Sequence, residues 1–473
     1  MRRIGRLLLC LCVSVLAAGV FPASAEAVKY KSAPAMFRMR LSVQEWINGI
    51  PKDSLPRGEL KFRTYVRMEH LITGNAKINR KAADIANDFY QKLAPNMREE
   101  LRPSSRYSSR LDIETVYTVS GNTVSALILA RETFQREQLS SPFKTAVWNL
   151  ETGDEIFLPD LFFEGGGAYD ILADGIAAQL SAMFPGQSAK PGVIEALARE
   201  EAIRGAAFTL SGGELTLHYA AADLFDGKTN ILHVRFYYPV FAGMWTDTGI
   251  KATDNAKWKF VALTFDDGPQ YLDVKKGGSR WNLQAFRAAG WRVTYYIWGK
   301  NILSNHDVLL SQADNNHSMQ NHSMYHPYGN EVKSRESVVK QIGMVNDYLA
   351  AVIGPAATTF RAPFGSTKSW VKFNADLPLI QWSIDPKDKN ALSATTVRRI
   401  KEKLYDGAIV LLHDTHIKTT KAIEPLAQML LDHGYMTVTV EELAAINGVE
   451  LVPGTVYCDF REREARLATE VTK

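Results

Sequence analysis

Cysteine is almost missing from this chain. There are three in 473 residues, and two of them, Cys10 and Cys12, lie in an apolar leader. Cys458 would then be alone, which excludes a disulfide framework and any Cys-cluster metal site. No apolar run beyond the leader reaches the length of a membrane span. No Gly-x-Ser-x-Gly stretch occurs, which argues against a serine hydrolase built on a nucleophile elbow. Charge of one sign is also lacking. Arg2, Arg3 and Arg6 fall in the leader, so its removal takes Lys plus Arg from 55 to 52 against 51 Asp plus Glu, and the net charge from +4 to +1. That balance gives no reason to expect a nucleic-acid partner.

What is present begins with the leader itself. Three arginines, the apolar stretch Leu7 to Val20 and the small residues Ala23-Ser24-Ala25 predict a signal peptide over 1–25, with a cut after Ala27 as the alternative. The expected product is an exported protein of the periplasm, cell envelope or exterior, with no stable membrane span. The 46% hydrophobic content is that of a globular chain, and the length calls for more than one domain.

Residues 30–245 read as β-rich α+β. Leu111, Ile113, Tyr117 and Val119 alternate with polar residues, Ser120-Gly121-Asn122 turns, and Val124, Ala126 and Ile128 alternate again. Further hairpins are expected around Glu151-Thr152-Gly153 and Gly212-Gly213. Helices are expected through Ile85, Phe89 and Leu93, and through Leu172, Ile176 and Leu180. Met244 to Asn255 reads as a linker. From residue 257 to 447 apolar strands alternate with amphipathic helices. The strands expected are Phe260–Phe265, Val293–Trp298, Leu379–Ile384, Ala408–Leu412 and Tyr435–Val440. A long helix starts near Ser334 and stops at Gly354-Pro355. Such alternation predicts a parallel sheet or barrel with its site at the carboxyl ends of the strands. Residues 448–473 read as a charged tail.

Those strand ends carry the chemistry. VALTFDDGPQ sets Asp266 and Asp267 side by side before a Gly-Pro turn. Neighbouring residues of a regular strand face opposite ways, but at a strand end both can enter one cleft. A bare Asp-Asp-Gly is more often a turn cap. NHSMYHP adds His322 and His326, four apart, which a helical turn would place on one face at about 5–6 Å. With a carboxylate they make a plausible metal site with open positions. RAPFG brings Arg361, WSIDPKD brings Asp385 and Asp388, and LLHD brings His413 and Asp414.

TFDDGP, HSMYH, RAPFG, WSIDPKD and LLHD resemble, in order, the five motifs of the polysaccharide deacetylases, the NodB-homology group or carbohydrate esterase family 4. The resemblance implies a distorted (β/α) barrel and metal-dependent removal of N- or O-acetyl groups from sugars. Carried across, it makes Asp266 the general base, Asp267, His322 and His326 the holders of a divalent ion (usually Zn2+, with Co2+ or Mn2+ as alternatives), Arg361 the partner of the base, His413 the general acid and Asp388 the residue that tunes it. The chain departs from the family in having Lys389 where a tryptophan is usual and Asn316 before His317. The segment Gln270 to Trp281 is also longer. More faintly, Trp148 to Gly153 and Leu158 to Phe162 resemble a domain that precedes the catalytic domain in some bacterial peptidoglycan deacetylases and occurs in lysozyme-sensing anti-sigma factors; its protein partner is unknown. The implied substrate is an amino-sugar polymer, peptidoglycan first, with chitin-type, poly-N-acetylglucosamine and acetylated xylan polymers open. A glycan-binding or sensing protein with a relict site is the rival from another class. His70, His218, His233, His306, His317 and His433 read as structural or surface residues. Trp370, in a loop after RAPFG, is the first choice for stacking on a sugar.

Overall fold

The computed structural model describes residues 39–47, 50–52, 64–97, 109–134, 136–270, 278–373 and 376–461. The expected signal peptide, with Cys10 and Cys12, lies outside the described residues, as do most of the long segment after Gln270 and the end of the tail.

The first half is built on strands β1 (Arg40–Ile47), β2 (Thr64–Ile72), β3 (Ser109–Ser120), β4 (Thr123–Phe134) and β5 (Phe143–Asn149), adjacent in that order, with three short strands completing an eight-stranded sheet. β3 and β4 form the hairpin expected at Ser120-Gly121-Asn122. Helix α1 (Ala76–Leu93) starts where the Asn75 side chain accepts a hydrogen bond from the Lys77 amide, a cap that satisfies an otherwise orphaned donor. Its buried stripe, Ile78, Ala82, Ala86 and Phe89, packs on Leu111, Ile113, Val124 and Ala126 of the sheet.

The other face of β3 departs from the alternation rule. It carries Asp112 and Glu114, and both are buried. The second half of the chain covers them. Arg287 donates twice to Glu69 at 2.9 Å and pairs with Glu114 at 3.2 Å, while Arg131 pairs with Asp314 at 2.7 Å. Buried charges persist only when paired, and these pairs join the two halves.

Helix α2 (Ala168–Ser181) backs a second, antiparallel sheet of β6 (Phe208–Leu210), β7 (Glu214–Ala220) and β8 (Ile231–Tyr237). The β6–β7 turn uses two glycines because there is no room for more. A Cβ at Gly212 would stand 2.7 Å from Phe260, and one at Gly213 2.5 Å from Ile446. The segment expected to be a linker folds instead. Thr246 caps a helix, α3 (Asp247–Thr253), and the Asn255 side chain is buried between Gly121, Ser120 and Gly212.

The second half centres on β9 (Lys259–Asp266), flanked in parallel by β10 (Thr294–Ile297) and β13 (Ala408–His413); β11 (Ser318–Asn321) continues beyond β10, and β14 (Tyr435–Val438) pairs with the start of β9. Single bridges then connect Asn321 to Phe360, Phe360 to Leu379 in β12 (Leu379–Ile380), and Ile384 back to Val410 of β13. Two expected strands are thus shorter than the apolar pattern suggested. Leu379–Ile384 pairs regularly only at its start. Tyr435–Val440 ends at Val438 because Thr439 and Glu442 form a capping box for the next helix. Strand β11 was not foreseen, since Ser-Met-Gln-Asn has no apolar pattern. The helix expected from Ser334 is present as α6 (Arg335–Ile353), after α4 (Ser279–Ala289) and α5 (His306–Asp314). Part of the tail is structured: β15 (Val456–Tyr457) pairs with β12, and Phe460 is fully buried.

Candidate active site

Asp266 is the last residue of β9, and Asp267 follows with φ of 75°. That left-handed turn of the backbone swings the second carboxylate round to the side of the first, which regular strand geometry forbids. Asn301 secures the turn by donating to the Asp267 carbonyl at 2.8 Å.

His322 and His326 follow β11, but not on a helix. Ser323 and His326 have φ of 66° and 53°, and the turn is tied by hydrogen bonds from the Ser323 amide to Asn321 and from the His326 amide to the Ser323 hydroxyl. The expected helical spacing is therefore corrected to an irregular turn that brings the two rings to 4.9 Å. Ligand atoms of Asp267, His322 and His326 all lie within 4.8 Å of one another. Asp267 Oδ1 is 3.6 Å from His322 Nε2 and 3.4 Å from His326 Nε2. His322 Nδ1 donates to the Arg361 carbonyl at 2.8 Å, which leaves Nε2 as the free donor atom. One carboxylate and two imidazoles, with one ring oriented from behind, suit a divalent ion such as Zn2+ or Co2+.

The electrostatics agree. Burial acts to raise the Asp267 carboxyl, but the facing rings of His322 and His326 and the Lys389 charge hold it well below the usual carboxylate range. Burial likewise opposes the His322 cation, yet the charges of Asp266 and Asp267 raise its proton affinity. Negative potential converges on the space between these groups, as a cation site requires.

Arg361 is fully buried and all its contacts are specific. It donates to Asp266 Oδ1 at 2.8 Å, to the Thr264 hydroxyl at 2.7 Å and to the carbonyls of Ile380 and Gln381 at 3.0 and 2.9 Å. Asp266 Oδ2 lies 3.7 Å from His322 Nε2. On the neighbouring strand, His413 is the register partner of Asp266. Its Nδ1 donates to Asp388 Oδ1 at 2.9 Å, and Asp388 Oδ2 accepts from the His413 amide and the Thr419 hydroxyl at 2.8 and 2.6 Å. All seven residues singled out in the sequence lie in this one region. Thr264 and Thr419 were not assigned to it; Trp298, expected in the core with sugar stacking as the alternative, has its ring tilted against His326 at 5.1 Å. Thr264 stands two residues before Asp266, so its inward direction was readable from strand alternation; Thr419, in the first turn of the helix Ile417–Asp432 that follows β13, carries no motif that marked it.

Trp370 is corrected. It is fully buried against Phe360 at 4.6 Å and packs in the core beside α6. The exposed aromatics of the region are Tyr325, Tyr328 and Phe364, the last two stacked at 4.1 Å. His317 is a packing residue between Phe286 and Tyr295.

This site lies in a segment with known relatives. Residues 253–377 match the polysaccharide deacetylase family model, so the chain carries a polysaccharide deacetylase domain of the NodB, carbohydrate esterase family 4 group. Asp388 and His413 fall beyond the matched stretch. A peptidoglycan-N-acetylglucosamine deacetylase of Listeria monocytogenes is 31% identical over 202 residues, 42% of this chain and 41% of that protein. A bifunctional xylanase/deacetylase of Pseudobutyrivibrio xylanivorans is 29% identical over 44% of this chain and 35% of its own length. A solved structure described as T48 deacetylase with substrate is 28% identical, covers 44% of this chain and 100% of its own, and has a TM-score of 0.40. The chain thus spans about two fifths of the length of the first of these relatives.

Proposed function

We propose that this chain is an exported, metal-dependent polysaccharide deacetylase that hydrolyses N-acetyl groups of amino-sugar polymers, with peptidoglycan as its substrate. One observation carries the reading: the Asp267, His322 and His326 donors converge beside a carboxylate held by Arg361 and a histidine held by Asp388. The circuit of parallel strands and bridges around them fits a distorted (β/α) barrel with the site at the carboxyl ends. The first half serves as an α+β accessory domain over 30–245, ahead of a deacetylase domain over 257–447.

An amide carbonyl is a poor electrophile. A divalent ion held by Asp267, His322 and His326 supplies Lewis-acid polarisation and lowers the pKa of water when bound. Asp266 takes the proton of the attacking water. Arg361 fixes one oxygen of that carboxylate, so the other faces the cleft. His413 gives its proton to the departing amine, and Asp388 at Nδ1 leaves Nε2 as the atom that delivers it. Water adds to the carbonyl carbon, the C–N bond breaks, and acetate and a free amino sugar leave.

The relatives named for peptidoglycan support the substrate, while the xylanase/deacetylase makes O-acetyl xylan the alternative. Acetate release from purified peptidoglycan, chitin oligomers and acetylated xylan, with and without added Zn2+, tests this. Zn2+-dependent release from peptidoglycan is expected. Release from xylan alone would shift the substrate, and no release from any polymer together with no bound metal would favour a glycan-binding protein.

A further inference from the structure

Lys389 follows Asp388 directly and stands where the resembled family carries tryptophan. Its ammonium lies 2.8 Å from Asp267 Oδ2, while Oδ1 of the same carboxylate faces the two imidazoles. The Asp267 carboxylate is thus divided, with one oxygen toward the candidate metal position and one held by a cation. Lys389 is not a wandering surface side chain at its root. Asp388 beside it is pinned by three donors, and the turn that contains it is tied by the amides of Asn390 and Ala391 to the Lys387 carbonyl at 3.1 and 3.0 Å. The lysine side chain is 39% exposed, so its tip reaches the site from the solvent side.

Two consequences follow from charge and geometry. A carboxylate with one oxygen occupied by an ammonium offers a metal ion the other oxygen only. A positive charge beside a ligand also opposes a second, divalent one, and in a partly buried site that repulsion is poorly screened. Groups behind a ligand commonly change metal affinity by about 10–100-fold.

We propose that Lys389 is a positioning residue that restricts Asp267 to ligation through Oδ1 and weakens divalent-ion binding, making the centre readily exchangeable. The inference rests on the reading of Asp267, His322 and His326 as the metal triad. It concerns affinity, so it can be tested without substrate.

The test is competition of the full chain with a chromophoric chelator for Zn2+ and Co2+, comparing the natural protein with Lys389→Met and Lys389→Arg. Lys389→Met should bind both ions on the order of tenfold more tightly. Lys389→Arg, which keeps the charge, should stay near the natural protein. If Lys389→Met does not fold, as judged by circular dichroism, Lys389→Gln takes its place with the same expected gain. Indistinguishable or weaker binding by the charge-removed variant overturns the proposal. Absence of binding in every variant overturns the metal triad along with it, whereas metal-dependent acetate release with equal affinities overturns only the role of Lys389.

Discussion

Asp266 and Asp267 are adjacent in the chain and face one cleft, yet their surroundings differ. Asp266 is paired with a buried arginine, and Asp267 with two imidazoles and an ammonium. Replacement should separate their tasks. Asp267→Ala and His322→Ala should lose metal and activity together, whereas Asp266→Asn should keep the metal and lose activity; metal content by atomic absorption and acetate release check both. Arg361→Met would leave four acceptors without their donor, Asp266 among them. It should cost about 3–5 kcal/mol of stability, read by urea unfolding, along with most of the activity. The identities of these residues were legible in the sequence because their types and order are chemically distinctive. Their geometry was less so. The left-handed conformations of Asp267, Ser323 and His326 are imposed by tertiary packing against local preference, which is why a helical turn was expected where an irregular one occurs.

At the scale of elements, strong apolar periodicity was read correctly: the β3–β4 hairpin, β9, β13 and α6 lie where it placed them. Strand β11 escaped because three of its four residues, Ser318, Gln320 and Asn321, are polar and still buried, so alternation had nothing to show. The polar face of β3 is buried as well, its carboxylates meeting buried arginines in place of water. This interface makes its own prediction. Arg287→Met would leave buried Glu69 with Arg67 alone and Glu114 with Arg131 alone, and should destabilise the protein by about 1–3 kcal/mol, seen as a lower urea midpoint. An unchanged midpoint would mean that the Arg287 pairs contribute nothing to the joining of the two halves.

The whole molecule buries several histidines that the proposed reaction does not use. Burial lowers His70 to about 4, His218 to about 3 and His317 to about 3, and pushes His233 down as well. In the unfolded chain each would titrate near about 6.5. Below that value the unfolded chain binds protons that the fold refuses, so stability is full above it and falls as pH drops toward the folded values. The thermal midpoint should therefore decline between about pH 7 and pH 5, and less steeply in His218→Asn. A decline no less steep in His218→Asn would show that this ring takes up its proton as readily in the fold as out of it. Among the described residues no helix is long and apolar enough to cross a membrane.

The measurement that most directly tests the account is acetate release from peptidoglycan by the same protein sample before chelation, after chelation, and after Zn2+ is returned. The account predicts full loss and full recovery, with no recovery in Asp267→Ala. Undiminished release from the chelated protein would contradict a metal-dependent reaction at the Asp267, His322 and His326 centre.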